Sequence, residues 1–376
     1  MIKESAPSAP ATIQLRDAQL DDYIGIKNLC INNGLLLPDE KIWRRRWEQN
    51  PLILEGNVSW SVGWVLETCD GKIVGYCGNI PMAYRLEDRN ITAATTTALA
   101  VDPSYRSHSL PLLQRFFKQN HVDLFMVSSA NESSGKIYKA YGMKITPSPS
   151  YEQALFWVTD PIPFFQAMWY HKGWWLPKIF GWMAGRIFKI WSAILFFKIQ
   201  SKKTKCKTVY SYDERFDFFW ANHLFLKKRL AFVRDQKNLT WHFQHFLDTG
   251  MGWVAIYEQD GEILGYAIFI RRDKSEIGLS RLQLADIQAI NDSPDIIREL
   301  FIYGLQQARI QGGHVLEVIG FNQNKRKIFN EFSPMVRLIT SHPYLYKLAN
   351  HNKNMAQDMN DINVWDPSII DGDAGL

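Results

Sequence analysis

Two short stretches hold the residues best suited to chemistry. In the first, Leu99, Ala100 and Val101 close a strand, Asp102-Pro103 stops it, and Arg106, Ser107, His108, Ser109 and Leu110 lead into a helix. A helix start presents N–H groups without partners and the positive end of the helix dipole, so such a junction is suited to receive an anion. In the second, Asn131, Ser134 and Tyr138 recur at helical spacing and share one face, near the end of the preceding strand. A phenol in that place can serve as a general acid. A general base is harder to find. The strand Thr92–Val101 has no Asp or Glu; Glu67 on the preceding hairpin and Asp88 beyond it are nearest, and both read by default as solvated surface carboxylates. His108 sits in the loop, where exposure is the simpler reading than catalysis.

The elements that must position these residues follow from periodicity. Ile13–Arg16 is a strand, a helix runs from Asp17 to Leu29, and Pro38–Asn50 reads as a second helix. Trp60–Glu67 and Lys72–Arg85 are strands joined by Asp70-Gly71, a strong hairpin signal. After Thr92–Val101 come a helix over Ser109–Gln119, a strand over Val122–Ser128, and a helix over Ser133–Tyr141 that ends at Gly142 as a C-cap. This is a mixed α/β layer pattern. From Tyr212 the order hairpin, strand, helix, strand, helix recurs, with Asp260-Gly261 as the second hairpin turn and slight residue identity. At 376 residues two domains are the natural division. The expected boundaries are a disordered lead-in at 1–10, a domain at 11–158, a linker at 159–211, a second domain at 212–349, and an acidic tail at 350–376.

The two chemical stretches resemble the GNAT superfamily of acyl-CoA-dependent N-acyltransferases. Val101-Asp102-Pro103-Ser104-Tyr105-Arg106 is similar to that family's V-x-P-x-Y-R, although Ser109 and Pro111 stand where it has glycines. Asn131 to Met143 is similar to its N-x-x-A-x-x-x-Y-x-x-x-G-F, with Ser134 for Ala and Met143 for Phe. The resemblance implies a coenzyme A thioester donor held by Leu99–Val101, Arg106–Leu110, Asn131 and Ser134. It gives Tyr138 the acid role, leaves Glu67 as the nearest base, and implies no metal. Proline has no amide to offer a phosphate, which weakens that cradle. The implied fold class is α/β with two GNAT-like domains in tandem.

Other features bear on partners. Net charge is only +5, so the chain is no general nucleic-acid binder, and its basic residues lack the aromatic interleaving of a single-strand platform. Cys30, Cys69, Cys77 and Cys206 show no metal-type spacing and fit a reducing cytoplasm. The chain has 14 Trp, and much of that excess lies between Trp157 and Trp191. There Lys178, Arg186 and Lys189 fall within roughly 80° on a helical wheel, opposite a broad apolar face. An amphipathic helix at a membrane interface is expected over Ile179–Ile199, with burial between the domains as the alternative. The segment 232–243 is similar to R-D-x-x-x-L-x-W-R-F of tandem-GNAT proteins associated with surface-polysaccharide synthesis, with His242 for the second arginine. Arg234 there reads as a structural ion-pair residue before an acceptor ligand. Asp366, Asp371 and Asp373 read as a docked or disordered acidic tail.

Three functions remain open. The first is N-acyl transfer, acetyl in the simplest case, to an amine of an amino sugar or a lipid-linked glycan at the inner face of the cytoplasmic membrane. The second is a non-catalytic binding protein of the same fold. The third is an aminoacyl-tRNA-dependent transferase of the Fem type.

Overall fold

A computed structural model describes residues 13–56, 59–223, 228–339 and 344–375; the lead-in expected at 1–10 lies outside them. In chain order the first half gives β1 (Ile13–Asp17), α1 (Tyr23–Asn32), α2 (Glu40–Glu48), α3 (Pro51–Glu55), β2 (Gly63–Thr68), β3 (Ile73–Leu86) and β4 (Arg89–Val101). It continues with α4 (Ser109–Phe117), β5 (Leu124–Val127), α5 (Glu132–Ala140), β6 (Lys144–Ile145) and β7 (Gln153–Val158). A helical hairpin follows, α6 (Pro161–His171) and α7 (Pro177–Ser201). The second half opens with β8 (Cys206–Val209), α8 (Glu214–His223), β9 (Leu230–Phe232), α9 (Gln236–Asp248), β10 (Gly252–Gln259) and β11 (Glu262–Arg271). It closes with β12 (Arg281–Ala289), α10 (Pro294–Ile310), β13 (Val315–Ile319), α11 (Gln323–Asn330), β14 (Met335–Leu338), β15 (Leu345–Leu348) and α12 (Ala356–Asn360).

Local chemistry explains the boundaries. Asn131 and Asn322 each accept the N–H three residues on, which caps α5 and α11 in the same way. Gly142 follows α5 at φ 85°, and the Met143 N–H turns back to the Tyr138 carbonyl at 3.1 Å, closing the helix as its glycine suggested.

The internal repeat is present in three dimensions, with one exchange. The first sheet runs β1-β2-β3-β4-β5-β15-β6, with β9 also paired to β3; the second runs β14-β7-β13-β12-β11-β10-β8. In both, a hairpin leads to a strand that pairs in parallel with the next one, β4 with β5 and β12 with β13. The following place in each sheet is taken by the other half. β7 pairs β13, and β15 pairs β5. The expected boundaries at 158 and 212 therefore do not cut the chain into separate units: β7 belongs with the second sheet, and β9 and β15 with the first.

The exchange follows from where apolar surface lies. One continuous core fills the space between the sheets. It joins Tyr76, Met82 and Tyr84 of the first sheet to Ile256, Ile268 and Tyr266 of the second, through α1, α2, α8 and α9. The outer faces are covered separately, the first by α4 and α5 and the second chiefly by α10 and α11. The last residues also enter the shared core, with Trp365 2% and Ile370 0% exposed. The expected acidic tail is thus docked.

The α6–α7 hairpin stands apart from this core. Gly181 and Gly185 let the two helices touch: a Cβ at either would come within 2.6 Å of a backbone Cα of α6. Beyond that seam Trp175, Ile187 and Ile190 are 79%, 68% and 76% exposed, while Phe164 and Ala167 of α6 pack against Leu279 and Val315, and Ile199 of α7 is buried in the core of the second half. Arg186 lies over the Trp182 ring at 5.1 Å. Among the described residues no helix is long and apolar enough to cross a membrane.

Candidate active site

The site begins as a missing ladder. β4 and β5 pair only at Ala93↔Leu124, Ala94↔Phe125 and Thr95↔Met126, while β4 runs on to Val101. On its other side β4 stays paired to β3, with an extra residue between the pairs Gly78↔Thr97 and Tyr76↔Ala100. Ala98 takes a left-handed backbone, φ 53°, within this bulge. The bulge bends β4 away from β5. From Thr96 onward the edge of β4 that faced β5 lacks a strand partner, so its N–H and C=O groups border a wedge-shaped gap.

Strand alternation places different side chains on the two sides of this gap. Thr96 faces α5, where its Oγ1 lies 2.7 Å from the Tyr138 hydroxyl. Thr97 faces the other half, where Arg46 of α2 reaches its Oγ1 at 3.5 Å. Burial raises the Tyr138 phenol well above its ordinary range, with the negative charge of Asp373 adding to the effect. It is therefore protonated, and can donate a proton or a hydrogen bond but not act as a base. Burial also pushes the nearby Cys77 thiol up to about 12.

Leu99, Ala100 and Val101 form the free end of β4, as expected. Pro103–His108 coils as a 3-10 turn and α4 starts at Ser109. Arg106, Ser107, His108 and Leu110 are exposed there. The Ser109 N–H is already bonded to the Arg106 carbonyl, and Pro111 has none. The first turn of α4 thus retains Leu110 as its other amide-bearing residue, beside the Arg106 side chain. Asn131 and Ser134 bond to each other as a helix cap, which occupies the Asn131 carbonyl oxygen.

Neither base expected from the hairpins reaches the gap. Glu67 lies two strands away from β4 and accepts from Arg16 at 2.7 Å, so it is a structural ion-pair residue. Asp88 sits in the β3–β4 turn with its side chain fully exposed, 3.7 Å from Arg85.

The carboxylate the structure does bring there comes from the far end of the chain. Asp373 accepts from the Ser128 N–H at 3.2 Å, the Ser128 hydroxyl at 2.9 Å and the Ser129 hydroxyl, at the end of β5. Gly372 makes this approach possible: at φ 77° its Cβ would lie 2.5 Å from Ser128 Oγ. Asp371 is buried behind it, which pushes its carboxyl up to about 6 against the pull of Arg234. Sequence reasoning missed Asp373. The available signal was Trp365, Ile369 and Ile370, large apolar residues out of place in a solvated acidic tail. Among the described residues no His, Cys, Asp and Glu group could hold a metal, and the four cysteines are free thiols.

The corresponding gap of the second half is filled. β12 pairs β13 only from Arg281 to Leu284, then continues to Ala289. Lys325, at the α11 position that Ser134 holds on α5, donates to the Ile287 carbonyl at 2.8 Å and to Asp366 at 2.6 Å. Burial would raise Asp366, but Lys325 and Arg229 hold it below the usual carboxylate range. Among the described residues the gap beside β4 has no such lysine across it. Arg234 is a structural residue: it pairs with Asp286 of β12 at 2.8 Å, both buried, while its neighbour Asp235 caps α9.

No protein-family model matches this chain, and no curated protein matches its sequence. Solved structures do share its fold. A protein of unknown function from Enterococcus faecalis, described as a probable N-acyltransferase, aligns with a TM-score of 0.57 at 10% identity, over 92% of this chain and 74% of that one. Saccharomyces cerevisiae N-myristoyltransferase, solved with bound myristoyl-CoA, aligns at 0.56 and 9% identity, over 93% and 81%. A GCN5-related N-acetyltransferase from Kribbella flavida aligns at 0.56 and 9%, over 90% and 71%. These likenesses span both halves, so the chain has the two-part GNAT-like fold.

Proposed function

We propose that this protein is an N-acyltransferase that moves an acyl group, acetyl in the simplest case, from a coenzyme A thioester to an amine. The observation that carries this reading is the unpaired edge of β4 facing a buried, protonated Tyr138 across the strand gap. The thioester donor supplies an acyl group already activated for attack. The Leu99–Val101 edge holds the donor's arm, and Arg106 with the exposed loop to Leu110 holds its phosphates, helped by Asn131 and Ser134. Tyr138 keeps a proton beside the departing sulfur. Asp373, on the opposite side of the gap, takes the proton from the amine. Holding both reactants across one gap supplies much of the rate by position alone.

The acceptor we assign is an amino sugar or a lipid-linked glycan amine. Support for it is the likeness of the 232–243 segment to polysaccharide-associated proteins, together with the exposed hairpin. That hairpin combines Trp174, Trp175, Ile179, Trp182, Ile187 and Ile190 with Lys178, Arg186 and Lys189, a surface suited to the interface of an anionic membrane. Such contact would seat the enzyme on the inner face of the cytoplasmic membrane. Replacing Trp175 and Ile187 together by Ser is expected to lower partitioning onto anionic vesicles about 10-fold or more, since each apolar side chain contributes roughly 1.5–3 kcal/mol when buried. Co-sedimentation equal to that of the unaltered protein would remove the membrane role.

The donor reading is tested by calorimetric titration with coenzyme A, acetyl-CoA and a long-chain acyl-CoA. Micromolar binding is expected, weakened about 10- to 100-fold in Arg106→Ala, the loss of one charge-assisted phosphate contact. The amide-poor start of α4 favours one competing reading, a binding protein that kept the fold without the reaction. Absence of binding to all three ligands would select it.

A further inference from the structure

The seam between the two halves holds a sizeable opening. A cavity of about 730 Å³ lies between α2 and α9, with the start of the β11–β12 loop at its mouth. Arg45, His245, Arg272 and Lys41 line it, with Asp39 and Asp248 as the carboxylates. Both carboxylates are engaged locally. Asp39 accepts the Ile42 N–H as the α2 cap, and Asp248 accepts the Gln244 amide at 2.8 Å.

Arg45 makes no ion pair among the described residues. Its Nη2 donates to His245 Nδ1 at 2.6 Å and reaches the His242 carbonyl at 3.5 Å. Because a guanidinium cannot accept, His245 Nδ1 must be the acceptor, which leaves its Nε2 as an N–H donor. Arg272 is held over the Phe246 ring at 5.1 Å. Burial, reinforced by neighbouring cations, pushes Arg45 and Arg272 down to about 10 and His245 to about 3. The Arg45 guanidinium, held in this half-buried cavity beside a neutral histidine donor, is stabilised by an anion entering beside it.

We infer that this cavity is an oxyanion-binding subsite for the phosphate or carboxylate group of a small-molecule ligand. Its volume suits a ligand of small-molecule size.

The test is calorimetric titration of the whole protein with sodium pyrophosphate, and separately with citrate, at fixed ionic strength in the Arg106→Ala background. That background removes the donor loop as a competing site. Saturable binding of one equivalent is expected, weakened about 10- to 100-fold by Arg45→Gln and less by Arg45→Lys. Preference for pyrophosphate or for citrate assigns the anion to the phosphate or the carboxylate class. No saturable binding, or equal binding by Arg45→Gln, overturns the subsite while leaving coenzyme A binding to the unaltered loop as an independent result. Should Arg45→Gln fold poorly, phenylglyoxal labelling of Arg45 in the unaltered protein gives the answer. Slower labelling in the presence of pyrophosphate supports the subsite, and an unchanged rate overturns it.

Discussion

Tyr138→Phe is expected to lower kcat about 100-fold while leaving the donor Kd unchanged, since removing a group that stabilises developing charge typically has that effect. The hydroxyl is held 2.7 Å from Thr96 on the α4–α5 side of the gap. Its proton has one use in the proposed reaction, at the sulfur as the thioester breaks, so binding of the intact donor should not sense its loss. Folding should tolerate the change. The ring stays buried, and the Thr96 hydroxyl left behind loses a partner at about 1 kcal/mol. Asp373→Asn in the same assay removes the proposed base on the other side and should lower kcat at least as far. Thr96→Val, which keeps the phenol and removes only its anchor, should lower kcat less than Tyr138→Phe. A kcat for Tyr138→Phe within about twofold of the unaltered enzyme would show that the phenol has only a packing role.

Arg234→Ala is expected to cost about 3–5 kcal/mol of folding stability, the usual penalty for removing one partner of a buried ion pair. The guanidinium joins the start of α9 to β12 through Asp286, and both side chains are nearly inaccessible, 2% and 0%. Tyr266 and Gln288 also donate to Asp286, at 2.8 and 2.9 Å, but neither brings a positive charge. Against a typical total of about 5–15 kcal/mol, such a loss brings the chain close to unfolding. Urea unfolding measures it directly. The pair Arg234→Met with Asp286→Leu should recover much of the stability, because the penalty lies in an unpaired buried charge more than in the lost attraction. A loss below about 1 kcal/mol for Arg234→Ala would mean that water reaches this pair.

Much of the fold was legible along the chain. The Asp-Gly turns, Gly142 and the capping asparagines act on their own neighbours, so Asp70-Gly71, Asp260-Gly261 and Asn131 end or begin their elements wherever the rest of the chain goes. The same holds for Tyr138, whose helical spacing from Asn131 and Ser134 placed it on the inner face of α5. It holds also for the α6–α7 hairpin, where amphipathic periodicity within one segment marks an exposed apolar surface.

What stayed hidden depends on partners far apart in sequence. Glu67 was the nearest carboxylate on the preceding hairpin, yet Arg16, 51 residues away, pairs with it across β1 and β2. The exchange of β7 and β15 has no local signal, since a strand's own pattern records that it is half-buried and not which sheet buries it. Asp373 lies 245 residues from Ser128 in sequence and meets it only after the tail docks in the shared core. Arg45 and His245 are separated by 200 residues, and their cavity exists only because α2 and α9 pack together. By itself the sequence determined the hairpins, the main helices and the repeat, because these follow from local propensity and periodicity. The tertiary structure alone decided which carboxylate faces the gap, that Lys325 fills the second one, and that the cavity between α2 and α9 is cationic. Those depend on burial and charge brought together across the fold.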